Sequence, residues 1–287
     1  MTTKVLLTIA LLNFSVLPVC AEDEKKALEF IQKLDGTAGS INRHGIKQPW
    51  TDTVGLGYRK ITDEGLKELA PLRGLSDLHL HNTSIGDAGL KGLAPFKNLL
   101  YLGLDSTRIT DEGLKELAGH EKLLELSLAN TAITDKGLKE IAKIKNLHKL
   151  VLTGTKITDA GLKELAVMKN LGELTLFGTK ITATGLKELA TVKTLKNLGL
   201  DPAQVDDDTL RVLRANGQLH FLNDLTFPRS SLDAQVIRLT GTRVTDVGLR
   251  ELADFKAVKS IVITNTKVTD AGIKQLKDMW PEVKVVR

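Results

Sequence analysis

The chain repeats itself every 24 residues. Ile61-Thr62-Asp63-Glu64-Gly65-Leu66 returns at 85–90, 109–114, 133–138, 157–162 and 181–186. A worn copy stands at 205–210, and clear ones return at 244–249 and 268–273. An apolar ladder precedes each unit, as in Leu75-x-x-Leu78-x-Leu80-x-x-Thr83-x-Ile85. A fixed period in this range marks a stacked solenoid, whose units bury their apolar faces against their neighbours. Chain length therefore sets no domain count, and a solenoid shifts the functional expectation from catalysis towards holding partners.

Each repeat divides into a short strand, Leu78 to Leu80 and its equivalents, and a short helix, Leu66 to Ala70 and its equivalents. Thr62 and Asp63 suit a helix start. A Thr hydroxyl caps free backbone N–H groups, and an acid complements the helix dipole. Gly65 lets backbones approach closely at the turn. Leu66 and Leu69 face inward, and Lys67 and Glu68 face solvent. Aromatic residues are only 4% of the chain, so leucine must fill the core.

L-x-x-L-x-L-x-x-T followed by I-T-D-x-G-L-K-E-L-A resembles the leucine-rich repeat, in the form found in secreted bacterial leucine-rich repeat proteins. Its ITDxGL half is also similar to the repeats of F-box ubiquitin-ligase receptors, which often carry Cys where this chain has Thr83, Thr107, Thr131, Thr155 and Thr179. The resemblance covers residues 51–287. It implies an α/β fold, a right-handed leucine-rich repeat solenoid with parallel strands on the concave face and helices on the convex face. It implies binding, without naming a ligand.

The ends differ from the repeats. Lys4 followed by the apolar run Val5 to Val19, too short to span a bilayer, reads as a signal peptide over residues 1–21 with cleavage before Glu22. Acylation of Cys20, the single cysteine, is the alternative. Either way the expected location is secreted, periplasmic or cell-envelope, with no stable membrane insertion after cleavage. Cleavage after Ala21 leaves no thiol, which excludes disulfides and thiolate sites. Residues 22–50 read as an N-terminal cap, with a helix to about residue 35 and then a stretch broken by Gly36, Gly39, Gly45 and Pro49. Residues 279–287 read as a C-terminal cap. From Val205 to Val244 is 39 residues where 24 are due, which predicts a shortened, helix-poor repeat or a functional loop, irregular near 219–241.

Parallel stacking places equivalent residues about 4.8 Å apart, so reading down the repeats maps the surface. One column runs Gly55, His79, Gly103, Ser127, Val151, Thr175, Gly199, Arg238 and Val262. Another runs Gly57, His81, Asp105, Ala129, Thr153, Phe177, Asp201, Thr240 and Thr264. The densest polar cluster is Asp77, His79 and His81, alternating on one strand, with Tyr101 and Asp105 expected on the next. Imidazoles beside carboxylates can bind a divalent metal or move protons, although an i to i+2 separation of about 6.6 Å suits a single metal poorly. A third column carries Lys60, Arg108, Lys156, Lys180, Arg243 and Lys267 along one edge, a charge row suited to an acidic protein or an anionic polysaccharide.

Asp206-Asp207-Asp208 is explained by capping, since the distal Glu of a calcium loop is absent. No P-loop, Gly-x-Ser-x-Gly elbow, His-Glu-x-x-His or dinucleotide fingerprint occurs. Lys and Arg (40) nearly balance Asp and Glu (35), against a dedicated nucleic-acid binder. The expected function is a non-enzymatic binding module for protein, without cofactor or metal. The contact residues are Asp77, His79, His81, Tyr101, Asp105 and Phe177, flanked by Arg108, Lys156, Lys180, Arg243 and Lys267. A binder of anionic envelope glycan, an enzyme or metal site around His79 and His81, and an adaptor in protein turnover are the alternatives.

Overall fold

The computed structural model describes residues 20–39, 52–224, 236–253 and 258–287. After α1 (Cys20–Lys33) and β1 (Thr37–Gly39), three-residue strands recur with the sequence period. They are β2 (Thr53–Gly55), β3 (Asp77–His79), β4 (Tyr101–Gly103), β5 (Glu125–Ser127), β6 (Lys149–Val151), β7 (Glu173–Thr175) and β8 (Asn197–Gly199). Beyond the interruption come β9 (Val236–Arg238), β10 (Ser260–Val262) and β11 (Lys284–Val286). Neighbours pair in parallel, in the order β2 to β8 in one sheet and β9 to β11 in a second. Each strand starts one residue ahead of the expected leucine, because Asp77 and its equivalents already pair across the ladder.

The helices on the other side are short: α2 (Asp63–Lys67), α3 (Asp87–Lys91), α4 (Asp135–Ile141), α5 (Asp159–Leu165), α6 (Ala183–Leu186), α7 (Asp207–Ala215), α8 (Asp246–Arg250) and α9 (Asp270–Met279). Residues 113–119 and 187–191 tighten into 3-10 helix. Strands stack at about 4.8 Å while a helix is about 10 Å wide, so the helical side of such a stack is the longer one and the sheet face curves inward. Between the layers, Leu78, Leu80, Ile85 and Leu90 are fully buried, and their described equivalents are buried too except Val268 and Ile273 of the last repeat, which are partly so. The Thr83 column is buried too, yet satisfied: Thr83 Oγ1 donates to the Leu80 carbonyl at 2.7 Å, and Thr107, Thr131 and Thr155 repeat the bond. A small polar residue thus sits in the core without an unpaired group.

The ITD signature does more than start helices. Thr62 Oγ1 accepts from the Gly65 amide as expected of a cap. The aspartates, however, reach into the following repeat. Asp111 accepts from the Thr134 amide at 2.8 Å and from its hydroxyl at 2.6 Å, and Asp87, Asp135, Asp159, Asp207 and Asp246 make the same pair of bonds. The glycine follows from this ladder. A Cβ on Gly137 would lie 2.5 Å from Asp111 Oδ1, so the position must be bare. Ala183 interrupts the series, and there Thr209 replaces the glycine and Asp206 replaces the threonine. Without an incoming carboxylate the Thr209 side chain fits, fully buried, with Oγ1 donating to the Gln204 carbonyl at 2.9 Å.

The helix that Asp206-Asp207-Asp208 is expected to cap is present at the start of the interruption. α7 spans nine residues, and Asp206 caps it through the Thr209 amide. The extra residues lie after α7. A 3-10 helix at Leu219–Asp224 packs against both β8 and β9 where a strand is due, and buries Phe221. It divides the sheet, while the turn edge stays stacked: the Arg243 amide still donates to the Val205 carbonyl, and Thr245 to Asp207. β9 is regular, so Arg238 pairs with Val262 as the column reading requires. The segment 226–235 lies outside the described residues but for the strand that follows it.

At the N-terminal end, Ala27 and Ile31 of α1 join the core, and Phe30 lies against Gly65, where the other glycines meet an aspartate. β1 pairs antiparallel with β2, a strand that the glycines around it concealed in the sequence. At the other end Trp280 and Val283 are buried ahead of β11. The expected signal, 1–21, lies outside the described residues except Cys20 and Ala21, which begin α1.

Candidate functional site

The strand ladder places the expected columns in register. Gly55 pairs with His79, His79 with Gly103, Gly103 with Ser127, Ser127 with Val151 and Val151 with Thr175. The Tyr58 amide donates to the His81 carbonyl and the Asn82 amide to that of Asp105, which carries the His81 column along. The result is a sheet face with an aromatic end.

At that end His79 and Tyr101 stack tilted at 36° with centroids 4.5 Å apart. His81 stands edge-on to His79 at 6.5 Å. Glycines shape the cluster: a Cβ on Gly103 would lie 2.8 Å from the Tyr101 hydroxyl, and one on Gly57 would strike the His81 ring. The third glycine, Gly55, offers no space, because Thr37 of β1 already occupies it.

Asp77 is the exception among the expected contacts. It is 2% exposed, with Ser76 Oγ donating to its carboxylate at 2.5 Å, so it lies under the surface and cannot meet a partner. Asp105 is half-buried, and its Oδ1 accepts from Ser127 Oγ and the Ala129 amide. Burial first, then the carboxylates of Asp105, Glu125 and Asp77, push the Tyr101 phenol above the ordinary tyrosine range. It is a neutral hydroxyl in an acidic setting. Phe177 lies three repeats away, half-buried, with its ring over Gly199.

Tyr58 belongs to this cluster and was missed in the sequence. Its ring meets His81 edge-on at 5.1 Å and is 71% exposed. Its φ is +61°, at the turn where other repeats carry Asn82, Ser106, Asn130, Gly154 and Gly178, all with positive φ. A left-handed backbone costs a residue with a Cβ about 1–2 kcal/mol, and Asn and Gly tolerate it best. An aromatic ring in a column of turn-formers was the available signal.

The rim residues Arg108, Lys156, Lys180, Arg243 and Lys267 are all exposed. Arg243 is engaged by Asp206 at 3.2 Å, whereas Arg108, Lys156 and Lys180 form no ion pair among the described residues. On the helices, Lys67 pairs with Glu64 and Lys115 with Glu112, so these two lysines meet the acid three residues earlier rather than the glutamate that follows each of them. At the opposite edge of the sheet, a shallow depression lies between Leu124, Glu125, Asn146, His148 and Asn170. Among the described residues no three His, Cys, Asp or Glu side chains converge closely enough to hold a metal ion. No helix among them is long and apolar enough to cross a membrane.

A leucine-rich repeat family model matches the chain at residues 97–118, 119–142 and 143–166. No curated protein matches it in sequence. Two solved structures from Listeria monocytogenes align with it. Internalin C2 is 20% identical over 78% of this chain and 76% of its own, with a TM-score of 0.45. The internalin inlF is 15% identical over 96% of this chain and 98% of its own, with a TM-score of 0.46. With its 24-residue period, parallel ladders, buried leucines and matched repeats, this chain is an α/β leucine-rich repeat solenoid.

Proposed function

We propose that this chain is an exported, non-enzymatic module that binds a protein partner on its sheet face, between Tyr101 and Phe177. One observation carries the reading: chemistry repeats on the helices and varies on the strands. The helical surface offers Lys67, Lys115, Lys163 and their equivalents almost unchanged, and so little to tell one ligand from another. The sheet face presents His79, His81, Tyr101, Asp105 and Phe177 in an order that no other repeat shares. Specific interfaces draw their energy from a few such aromatic anchors. A sheet held by continuous ladders is also preorganised, so binding orders little backbone. Arg108, Lys156 and Lys180 orient acidic parts of the partner along the rim. Lys4 and the apolar run to Val19 support export.

The test starts with affinity capture, using chain exported from a bacterial host and starting at Glu22 by mass spectrometry. For the captured protein, Tyr101→Ala and Phe177→Ala are each expected to raise the dissociation constant at least about tenfold. Replacing Lys67, Lys115 and Lys163 by Ala leaves it nearly unchanged. The opposite pattern places the site on the helices and overturns the proposal. An anionic glycan is the second reading, supported by Arg108, Lys156 and Lys180, which form no ion pair among the described residues, and binding that collapses with modest salt favours it.

A further inference from the structure

Tyr58 poses a question that packing does not answer. The backbone at this turn is left-handed, most other repeats supply Asn or Gly there, and the Tyr58 ring is 71% exposed. A residue that is strained and yet mostly in solvent gains little from the fold itself. Strain of this kind tends to persist where a side chain must be presented at one place. Tyr58 is presented beside His81, and His79 and Tyr101 extend the ring surface along β3 and β4.

The charges that bear on the Tyr101 ring are of one sign, Asp105, Glu125 and Asp77. Asp105 uses Oδ1 for Ser127 and Ala129, and its second oxygen has no hydrogen-bond partner among the described residues. Glu125 stands beside Tyr101 in the strand register. On its other side is Lys149, yet the Lys149 ammonium pairs with Glu173 at 3.6 Å, away from Glu125. The Glu125 carboxylate therefore has neither a hydrogen bond nor an ion pair among the described residues. Two uncompensated carboxylates beside partly buried rings, with the exposed Tyr58 ring at the end of the row, favour a cation, since both the charges and the negative faces of the rings attract it.

We infer that the aromatic end of the sheet face, Tyr58, His79, His81 and Tyr101 with Asp105 and Glu125, receives an arginine side chain of the protein partner. A guanidinium fits better than an ammonium. Its plane stacks on a ring while its edge donates two parallel hydrogen bonds to a carboxylate. The inference rests on the protein-binding reading above and names the chemistry of one anchor within it.

The probe is N-acetyl-arginine methylamide, titrated into the full chain while the Tyr and His ring signals are followed by NMR. The signals of Tyr58, Tyr101, His79 and His81 are expected to shift, with a dissociation constant on the order of 10 mM for so small a ligand. The uncharged isostere N-acetyl-citrulline methylamide binds at least about tenfold more weakly. Glu125→Gln weakens arginine binding about threefold or more. Tyr58→Asn does the same while raising the melting temperature by about 1–4 °C, because it relieves the left-handed turn. That variant folds for the reason that Asn82 and Asn130 already do, so lost binding cannot be blamed on lost structure. Equal binding of the citrulline compound overturns the inference. So does an unaffected Tyr58→Asn variant, or a neutral methyl glucoside moving these signals while arginine leaves them in place. Failure here leaves the Tyr101 and Phe177 test standing, since that test reads loss of the captured partner and not the chemistry of one side chain.

Discussion

At the residue scale, the repeat owes its signature to a contact between units. Asp111 and its equivalents bond the next threonine, and the glycine exists because that carboxylate occupies the space of a Cβ. The triad Ala183, Asp206 and Thr209 departs from all three rules together, as the geometry demands. A carboxylate placed at 183 would meet the Thr209 side chain where other repeats have glycine, and the Asp206 carboxylate where they offer a threonine hydroxyl. Ala183→Asp is therefore expected to destabilise the chain by at least about 1 kcal/mol. Ala183→Asp combined with Asp206→Thr and Thr209→Gly recovers most of that loss, and urea denaturation of the set measures the coupling. Additive effects would show that the three sites do not touch in solution. His120 is a second departure. It is buried in the core position of Phe96 and Ile144, its Nε2 meets the Leu93 carbonyl at 3.0 Å, and its Nδ1 has no partner among the described residues.

At the scale of elements, alternation along a strand is what the sequence conveys best. Leu126 and Leu128 are buried, while Ser127 and Ala129, which alternate with them, are partly exposed. Leu126→Ala is expected to cost about 2–5 kcal/mol, the range for emptying a core site. Ser127→Ala loses a bond to Asp105 at the surface and costs about 1 kcal/mol or less. Equal losses in thermal melts would contradict the strand register. The helices were less legible. Over a span of five to seven residues, propensity does not separate α from 3-10 geometry, and residues 113–119 took the tighter form. Around α7 the signature is worn. Yet Leu210 and Leu213 are fully buried, and Asp206 caps the helix as well as a threonine would.

For the whole molecule, stability is close to a sum over repeats and their interfaces, so bonds that cross between repeats matter more than bonds within them. Asp246 is such a bond. The Thr269 hydroxyl and amide hold its carboxyl below the ordinary aspartate range. A depressed acid contributes fully above its unfolded value of about 3.9, and that contribution is lost as the pH falls through the folded value. The urea midpoint should accordingly drop between about pH 5 and pH 2, and less steeply in Asp246→Asn, which keeps an acceptor but does not titrate. An unchanged slope would mean that this link carries little of the acid response.

The sequence alone determined the period, the parallel ladder and the inward leucines, because each is a local pattern repeated until chance is excluded. It also brought His79, His81, Tyr101 and Asp105 to neighbouring strands, since register in a solenoid is simple counting. Tertiary structure decided the rest. Counting gives positions but neither depth nor backbone sign, so only the packed chain shows Asp77 sinking beneath the surface and Tyr58 turned outward at φ +61°. Pairing is likewise a choice among neighbours: Lys149 stands between two glutamates and takes Glu173, and a three-dimensional preference of that kind leaves no trace in the order of residues.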